Sequence, residues 1–128
     1  MSWLWVGADV TYAIHDRQLA EHGGLDGVRD KNAVESALAR PQNLAAYENP
    51  DAASLAAAYA FGLARNHGFL DGNKRTAWVT ARLFLADNGW RLAFDPADAV
   101  RTMENVAAGA MTEIELAEWF RLRLARRE

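Results

Sequence analysis

The sequence predicts an all-α protein, a compact bundle of about six helices with at most one short strand or hairpin, in a single domain over residues 1–128. Apolar residues recur at the three- and four-residue spacing of amphipathic helices along most of the chain. A chain of 128 residues fits one domain and is short for two. The apolar share of 51% and the charged share of 24% are those of a folded globular protein.

Composition excludes several classes of protein. The chain has no cysteine, which rules out a disulfide scaffold, thiolate zinc sites and a cysteine nucleophile, and favours the cytoplasm. A net charge of -3 argues against a nucleic-acid binder, because such proteins need a basic face to neutralise phosphates. We see neither a signal peptide nor an apolar run of membrane-spanning length, so no membrane partner is expected.

Two helices are predicted in the first third of the chain. The first carries apolar residues at helical spacing from Val6 onwards and ends at His22, where Gly23 permits the left-handed stop. Asp30 can cap a second, short helix, which we expect Pro41 to close. The apolar face of this second helix carries Val34, Ala37 and Leu38.

The central third predicts two longer helices. After a polar connector at residues 48–51, apolar and small residues follow the helical pattern from Leu55 to the neighbourhood of His67. The next helix, Thr76 to Asp87, is apolar on nearly all faces, so we expect it at the centre of the domain. Asn88-Gly89 then ends it.

The last third predicts one strand and two helices. Trp90, Leu92 and Phe94 alternate with other residues as in a strand, although the sequence does not reveal a partner strand. Asp95 and the following proline start a helix with Val100, Met103, Val106 and Ala107 on its apolar face. Thr112-Glu-Ile-Glu115 matches a capping box and opens a final helix that we expect to continue into the basic residues 121–127. That helix carries Leu116, Trp119, Phe120 and Leu124.

The most informative stretch is HGFLDGNKRTAW, His67 to Trp78, before the fourth helix. Backbone N–H groups at a helix start lack intrahelical partners, and the helix dipole is positive there. Gly72 lets the backbone approach an anion closely, while Lys74 and Arg75 add cationic donors that suit phosphate oxygens. The start of this helix is therefore a candidate phosphate site.

The same stretch contains candidates for chemistry. Asp71 can reach a magnesium ion that bridges phosphate oxygens, and His67 can accept the proton of an attacking hydroxyl. Phe69 is expected to be a packing residue that fixes the loop. The structural alternative is an ordinary charged turn, since Asp, Gly and Asn are common turn residues.

The nine residues His67-Gly-Phe-Leu-Asp-Gly-Asn-Lys-Arg75 resemble the signature H-x-F-x-D-[GA]-N-K-R of the Doc (death-on-curing) branch of the Fic/Doc superfamily. Seven of the nine positions are specified, six of them to a single residue type, so the match is specific. Similarity extends to stretches such as Gly27-Val-Arg-Asp30 and Glu35 to Gln42, and covers nearly the whole chain. It implies the all-helical Fic/Doc bundle.

The resemblance also implies roles for individual residues, with ATP and Mg²⁺ as cofactors. His67 is then the catalytic base and Asp71 the magnesium ligand. Phe69 anchors the loop, and Arg65 is an additional substrate contact. The phosphate-contacting set comprises Gly72, Asn73, Lys74 and Arg75.

Two positions depart from the Fic enzymes that transfer AMP. Those enzymes usually have a glycine where Lys74 stands and an arginine where Trp78 stands. The resemblance to the Doc branch therefore implies a kinase that phosphorylates a protein hydroxyl, with translation elongation factor Tu as the target class and growth arrest as the outcome. AMP transfer is the enzyme alternative, and a catalytically silent binding protein of the same fold is the other. Gly68 stands where related chains often have proline, and its effect on the loop stays open.

Regulation is expected to come from a second protein. The chain contains no run like the inhibitory helix of many Fic proteins, and Doc-type toxins are silenced by an antitoxin segment in a groove. Candidate lining residues are Trp3-Leu-Trp5 and Trp119-Phe120, although ordinary core packing is the favoured explanation, since tryptophan is highly buried on average. His15 and His22 lack metal-ligand spacing, so we interpret both as surface or packing residues.

Overall fold

The computed structural model describes residues 2–127. Six helices and one two-stranded antiparallel sheet are present in this range, which confirms the all-α class with one short strand pairing. None of these helices combines the length and apolarity that a bilayer span requires. The elements are α1 Ala8–His22, α2 Lys31–Tyr47, α3 Ala52–Arg65, α4 Asn73–Asp87, β1 Trp90–Leu92, α5 Pro96–Ala107, α6 Glu113–Arg121 and β2 Leu124–Arg126.

Helix α3 is the centre of the bundle and packs against α2, α4, α5 and α6. The sequence-based prediction that α4 lies at the centre of the domain is therefore wrong. Nearly every side chain of α3 from Ala52 to Ala64 is buried, whereas α4 exposes Arg75 and Arg82 on one side. Helix α3 is rich in alanine, and these small side chains let neighbouring helices approach it closely from several directions. A helix enclosed in this way can be buried without many large apolar residues.

The predicted helix starts are confirmed where a capping side chain is present. Asp30 accepts a hydrogen bond from the Ala33 N–H, and Asp95 accepts one from the Asp98 N–H. Thr112 and Glu115 form the predicted capping box at α6. These signals are local, so the sequence alone reveals them.

Helix α2 does not end at Pro41. It continues to Tyr47, with Pro41 buried inside it. Proline removes one backbone hydrogen bond from a helix. The residues beyond it compensate, because Leu44 and Ala45 pack against the hydrophobic core and give the last turns a buried face.

The basic C-terminal segment is a strand, which corrects the predicted continuous helix. Helix α6 ends at Arg121, and β2 pairs antiparallel with β1 in the register Trp90↔Arg126 and Leu92↔Leu124. This pairing supplies the partner strand that the sequence did not reveal, and the Arg126 guanidinium lies 4.9 Å from the centre of the Trp90 ring.

Other aromatic and apolar positions also need correction. Trp119 and Phe120 are buried in the core, so they do not line an open groove. Trp3 and Trp5 are partly buried against the Phe84 ring, whereas Leu4 between them is 62% exposed, so this segment stays a candidate lining. Val100 is 60% exposed, although it was predicted on the apolar face of α5. The buried face of α5 is instead formed by Ala99, Thr102, Met103 and Val106.

Candidate functional site

The motif loop, His67 to Gly72, connects α3 to α4. His67 is exposed and has a φ of 51°, and it is the only residue other than glycine with a positive φ in the described range, 2–127. Such a conformation is unfavourable for a histidine and persists only where the surroundings enforce it. Strained residues of this kind cluster at functional sites, which agrees with the catalytic role that the resemblance implies for His67.

Phe69 and Asn73 close the motif loop. The Phe69 side chain is 1% exposed, which confirms it as the packing residue that fixes the loop. The carboxamide of Asn73 accepts from the Phe69 N–H at 3.1 Å and donates to the Phe69 carbonyl at 3.0 Å. Because both polar ends of this side chain are occupied within the loop, what Asn73 offers a ligand is its backbone N–H.

Gly68 is where the motif loop meets the start of α2. Its carbonyl accepts hydrogen bonds from the N–H groups of Arg29 and Asp30, at 2.8 and 3.0 Å. A Cβ atom at Gly68 would lie 2.4 Å from Cγ2 of Val34. Glycine therefore permits a close approach between the loop and α2, and these hydrogen bonds hold the loop rather than loosen it.

The α4 start, Gly72 to Arg75, has the features of an anion site. Gly72 adopts the left-handed conformation, and no side chain caps the helix. Lys74 and Arg75 are exposed, and neither forms an ion pair with any residue that the structure describes. Uncapped N–H groups beside two free cations can bind a phosphate through both the helix dipole and direct charge.

Asp71 presents an ionised carboxylate beside the α4 start. One carboxylate oxygen accepts from the Gly72 N–H at 2.8 Å, and the other accepts from the Leu25 N–H at 3.3 Å. These backbone hydrogen bonds, and to a lesser extent the charge of Arg75, hold the pKa of Asp71 below its ordinary value. An exposed carboxylate that stays ionised is a suitable ligand for Mg²⁺.

Arg65 and Trp78 lie at the edges of this region. The Arg65 guanidinium is 3.5 Å from the Val106 carbonyl and 5.5 Å from the centre of the Phe61 ring, so it points towards the end of α5. Its role as a substrate contact stays a prediction. The Trp78 ring packs against the rings of Phe94 and Trp119, so Trp78 belongs to an aromatic cluster.

Sequence reasoning missed the contact between His15 and the motif loop. His15 is 2% exposed, which confirms it as a packing residue, and its ring stacks on Phe69 with centroids 3.8 Å apart. Its Nε2 atom also lies 2.8 Å from the Asp71 carbonyl oxygen. His15 and Asp71 are 56 positions apart, so no local pattern could reveal the pair.

His15, Asp16 and Asp26 each bring one potential ligand atom within 4.8 Å of the others. Asp26 belongs to the segment between α1 and α2, which is why sequence spacing did not indicate this group. Both carboxylates are exposed to solvent. The three residues are close in space without further evidence of a metal site, and Asp71 remains the candidate magnesium ligand.

The chain matches the Fic/DOC family over residues 5–85, a range that includes α1 to α3, the motif loop and most of α4. It belongs to the Fic/DOC family. Among relatives, it is similar to "Protein kinase doc" of Escherichia phage P1, with 36% identity over 110 residues, or 85% of this chain and 86% of the relative. It is also similar to "Toxin Doc" of Mycolicibacterium smegmatis, with 48% identity over 77 residues, or 57% of this chain and 58% of the relative.

Membership of the Fic/DOC family confirms the resemblance that the motif indicated, and the helical bundle is the expected fold. The residues of the motif loop and the α4 start lie inside the matched range. Family and geometry together therefore make this loop the candidate active site.

Proposed function

We propose that this Fic/DOC chain is a Doc-type toxin that transfers the terminal phosphate of ATP to a hydroxyl group of a protein. The target class that the resemblance implies is translation elongation factor Tu, which would place the reaction in the cytoplasm. The names of the two relatives, one a protein kinase and one a toxin, support the proposal. The observation that carries it is the uncapped α4 start with its free cations next to the Asp71 carboxylate.

The residues at the α4 start fit a polyphosphate better than a single carboxylate. Three backbone N–H groups, at Asn73, Lys74 and Arg75, precede the first intrahelical hydrogen bond, which joins the Thr76 N–H to the Gly72 carbonyl. Lys74 would add a point charge and Arg75 a two-pronged donor. Asp71 would hold Mg²⁺, which when bound neutralises charge on the phosphates.

His67 would act as the general base. In the proposed step, the target hydroxyl oxygen forms a bond to the γ-phosphorus, the bond from that phosphorus to the β–γ bridging oxygen breaks, and ADP leaves. His67 accepts the proton of the hydroxyl as the new bond forms. Its exposed position after α3 leaves it accessible to a protein substrate.

Transfer of AMP is the second candidate reaction, and two residues argue against it. Lys74 places a long side chain at the α4 start where AMP-transferring relatives have glycine. Trp78 occupies the position of their arginine and lies within the aromatic cluster, so it supplies no phosphate-binding cation there.

The decisive experiment incubates the protein, Mg²⁺ and elongation factor Tu with ATP labelled at either the α- or the γ-phosphate. We expect label on the target only from γ-labelled ATP, and none with a His67→Ala control. Label from α-labelled ATP would instead establish AMP transfer. A target that stays unlabelled in both reactions would contradict the proposed enzyme activity on this substrate.

The toxin role is tested by expression in cells. If the chain is a toxin by catalysis, both His67→Ala and Asp71→Ala relieve growth arrest. Growth arrest that survives both substitutions would favour a catalytically silent binding protein. The partner that we propose for such a toxin is an antitoxin segment, in line with the name of the relative "Toxin Doc".

A further inference from the structure

The least expected contact with the motif loop comes from α1. His15 is buried, stacks on Phe69 at an interplanar angle of 11° and lies with Nε2 at 2.8 Å from the Asp71 carbonyl. A carbonyl oxygen can only accept a hydrogen bond, so Nε2 of His15 carries the proton and donates it. The imidazole therefore makes a directed contact to the loop in addition to packing against it.

This contact fixes the orientation of the Asp71–Gly72 peptide. In a trans peptide the C=O and N–H bonds point in opposite directions. Because His15 holds the Asp71 carbonyl on the inner side, the Gly72 N–H points outwards, where it donates to a carboxylate oxygen of Asp71 at 2.8 Å. A single peptide plane thus connects the buried imidazole to the carboxylate.

Glycine makes this peptide easy to flip. Gly72 has φ 78° and ψ 14°, close to the values of the third residue of a type II turn. A type I turn differs mainly by rotation of the central peptide, and glycine populates both conformations readily. A contact from outside the turn must therefore select one of these two turn conformations.

We propose that His15 is a positioning residue, which locks the Asp71–Gly72 peptide through its Nε2–H and thereby aims the Asp71 carboxylate. The effect of His15 on catalysis rests on the proposed function. The structural part of the proposal is independent of that function, because the orientation of the peptide can be observed directly.

Two substitutions separate the hydrogen bond from the packing. His15→Phe keeps an aromatic ring for Phe69 to stack on but has no donor. His15→Gln loses the ring but can place an amide N–H near the position of Nε2. His22→Ala is the matched control, because His22 lies on the same helix and is exposed.

The direct readout is the exchange of the Gly72 amide proton with solvent in ¹⁵N-labelled protein at one neutral pH. In the wild type this exchange should be slowed, because the Gly72 N–H donates to the Asp71 carboxylate. We expect this protection to be lost in His15→Phe, to return in His15→Gln and to be unchanged in His22→Ala. Protection of wild-type size in His15→Phe would overturn the proposal.

The second readout is phosphate transfer. With the chain folded, as urea unfolding would verify, we expect kcat to fall about 10- to 100-fold in His15→Phe, the effect of misplacing a catalytic group. His15→Gln should recover most of the loss. Equal losses in both variants, in proportion to lost stability, would reduce His15 to a packing residue. If the wild type transfers no phosphate, the proposed function fails, and the exchange of the Gly72 amide proton still decides the role of His15.

Discussion

The starts of α3 and α4 differ in what surrounds their unpaired backbone N–H groups. At α3, the Asp51 carboxylate caps the helix by accepting from the Ser54 N–H at 2.9 Å, and Arg121 binds the same carboxylate at 2.7 Å. At α4, Gly72 offers no cap, no acid stands in the first turn, and Lys74 and Arg75 face solvent.

This difference indicates what each helix start is for. A side-chain cap satisfies one of the free backbone N–H groups of the helix start and adds to folding stability, as the side chains of Asp30, Asp95 and Thr112 also do. Helix α1 also lacks a side-chain cap, but Asp9 stands in its first turn where α4 has cations. Substitutions at α4 should therefore change activity, whereas substitutions at the capped starts should change stability.

The largest effect is expected at His67, the first residue of the motif loop. His67→Asn keeps a side chain that tolerates a positive φ but removes the base. We expect γ-phosphate transfer to fall by at least about 100-fold, while the free energy of unfolding stays within about 1 kcal/mol. Kinetics and urea titration measure the two quantities, and wild-type activity in this variant would remove His67 from the chemistry.

Lys74→Met tests the free cation at the α4 start. Loss of a charged donor to phosphate should raise the KM for ATP about 10- to 100-fold, since such hydrogen bonds contribute roughly 1.5–3 kcal/mol. Lys31→Met is the matched control, because Lys31 stands in the first turn of the capped helix α2. Similar KM values for the two variants would contradict the claim that the α4 start binds phosphate and the capped start of α2 does not.

Gly68→Ala tests the close approach between the motif loop and α2. The added methyl would lie 2.4 Å from Cγ2 of Val34, so we expect a destabilisation of about 1–3 kcal/mol. Adding Val34→Ala removes that methyl neighbour, and a double-mutant cycle should show a favourable coupling of about 1 kcal/mol. Strictly additive losses would mean that the two residues are not in contact.

Asp51→Ala tests the capped start, with the smallest expected effect. Loss of the cap and of the Arg121 pair should lower the free energy of unfolding by about 1–2 kcal/mol and leave the activity of the folded protein unchanged. Asp51→Asn, which keeps a capping oxygen, should lose less. A fall in activity without a fall in stability would contradict this interpretation.

The stabilisation from Asp51 also depends on pH. Hydrogen bonding to the Arg121 guanidinium, followed by that to Ser54, holds the pKa of Asp51 well below its ordinary value. A lowered pKa gives stability that is present above the unfolded-state pKa of about 4 and is lost as the pH falls further. Thermal unfolding of wild type and Asp51→Ala should therefore converge in acid.

Much of the fold and the site could be predicted because the relevant signals are local. The cap at Asp95, the capping box at Thr112 and the glycine at the α4 start each act within one turn of helix. The candidate anion site required only the sequence from Gly72 to Arg75, since a helix start defines the positions of its own N–H groups.

The predictions failed where residues far apart in the sequence determine the local structure. Continuation of α2 past Pro41 depends on core contacts of Leu44, and β2 forms because β1 pairs with it. The interaction of His15 with Asp71 and the fit of Gly68 against Val34 join α1 and α2 to the motif loop. Sequence periodicity carries no information about such pairs.

The most direct test of the account measures backbone amide shifts at all helix starts during titration with Mg²⁺ and an ATP analogue that cannot be hydrolysed. We expect the N–H resonances of Asn73, Lys74 and Arg75 to shift with saturation. Those of the capped N–H groups at Ser54, Asp98 and Glu115 should stay in place. Saturating shifts at the capped starts, or none at the α4 start, would contradict the claim that α4 begins at a phosphate site.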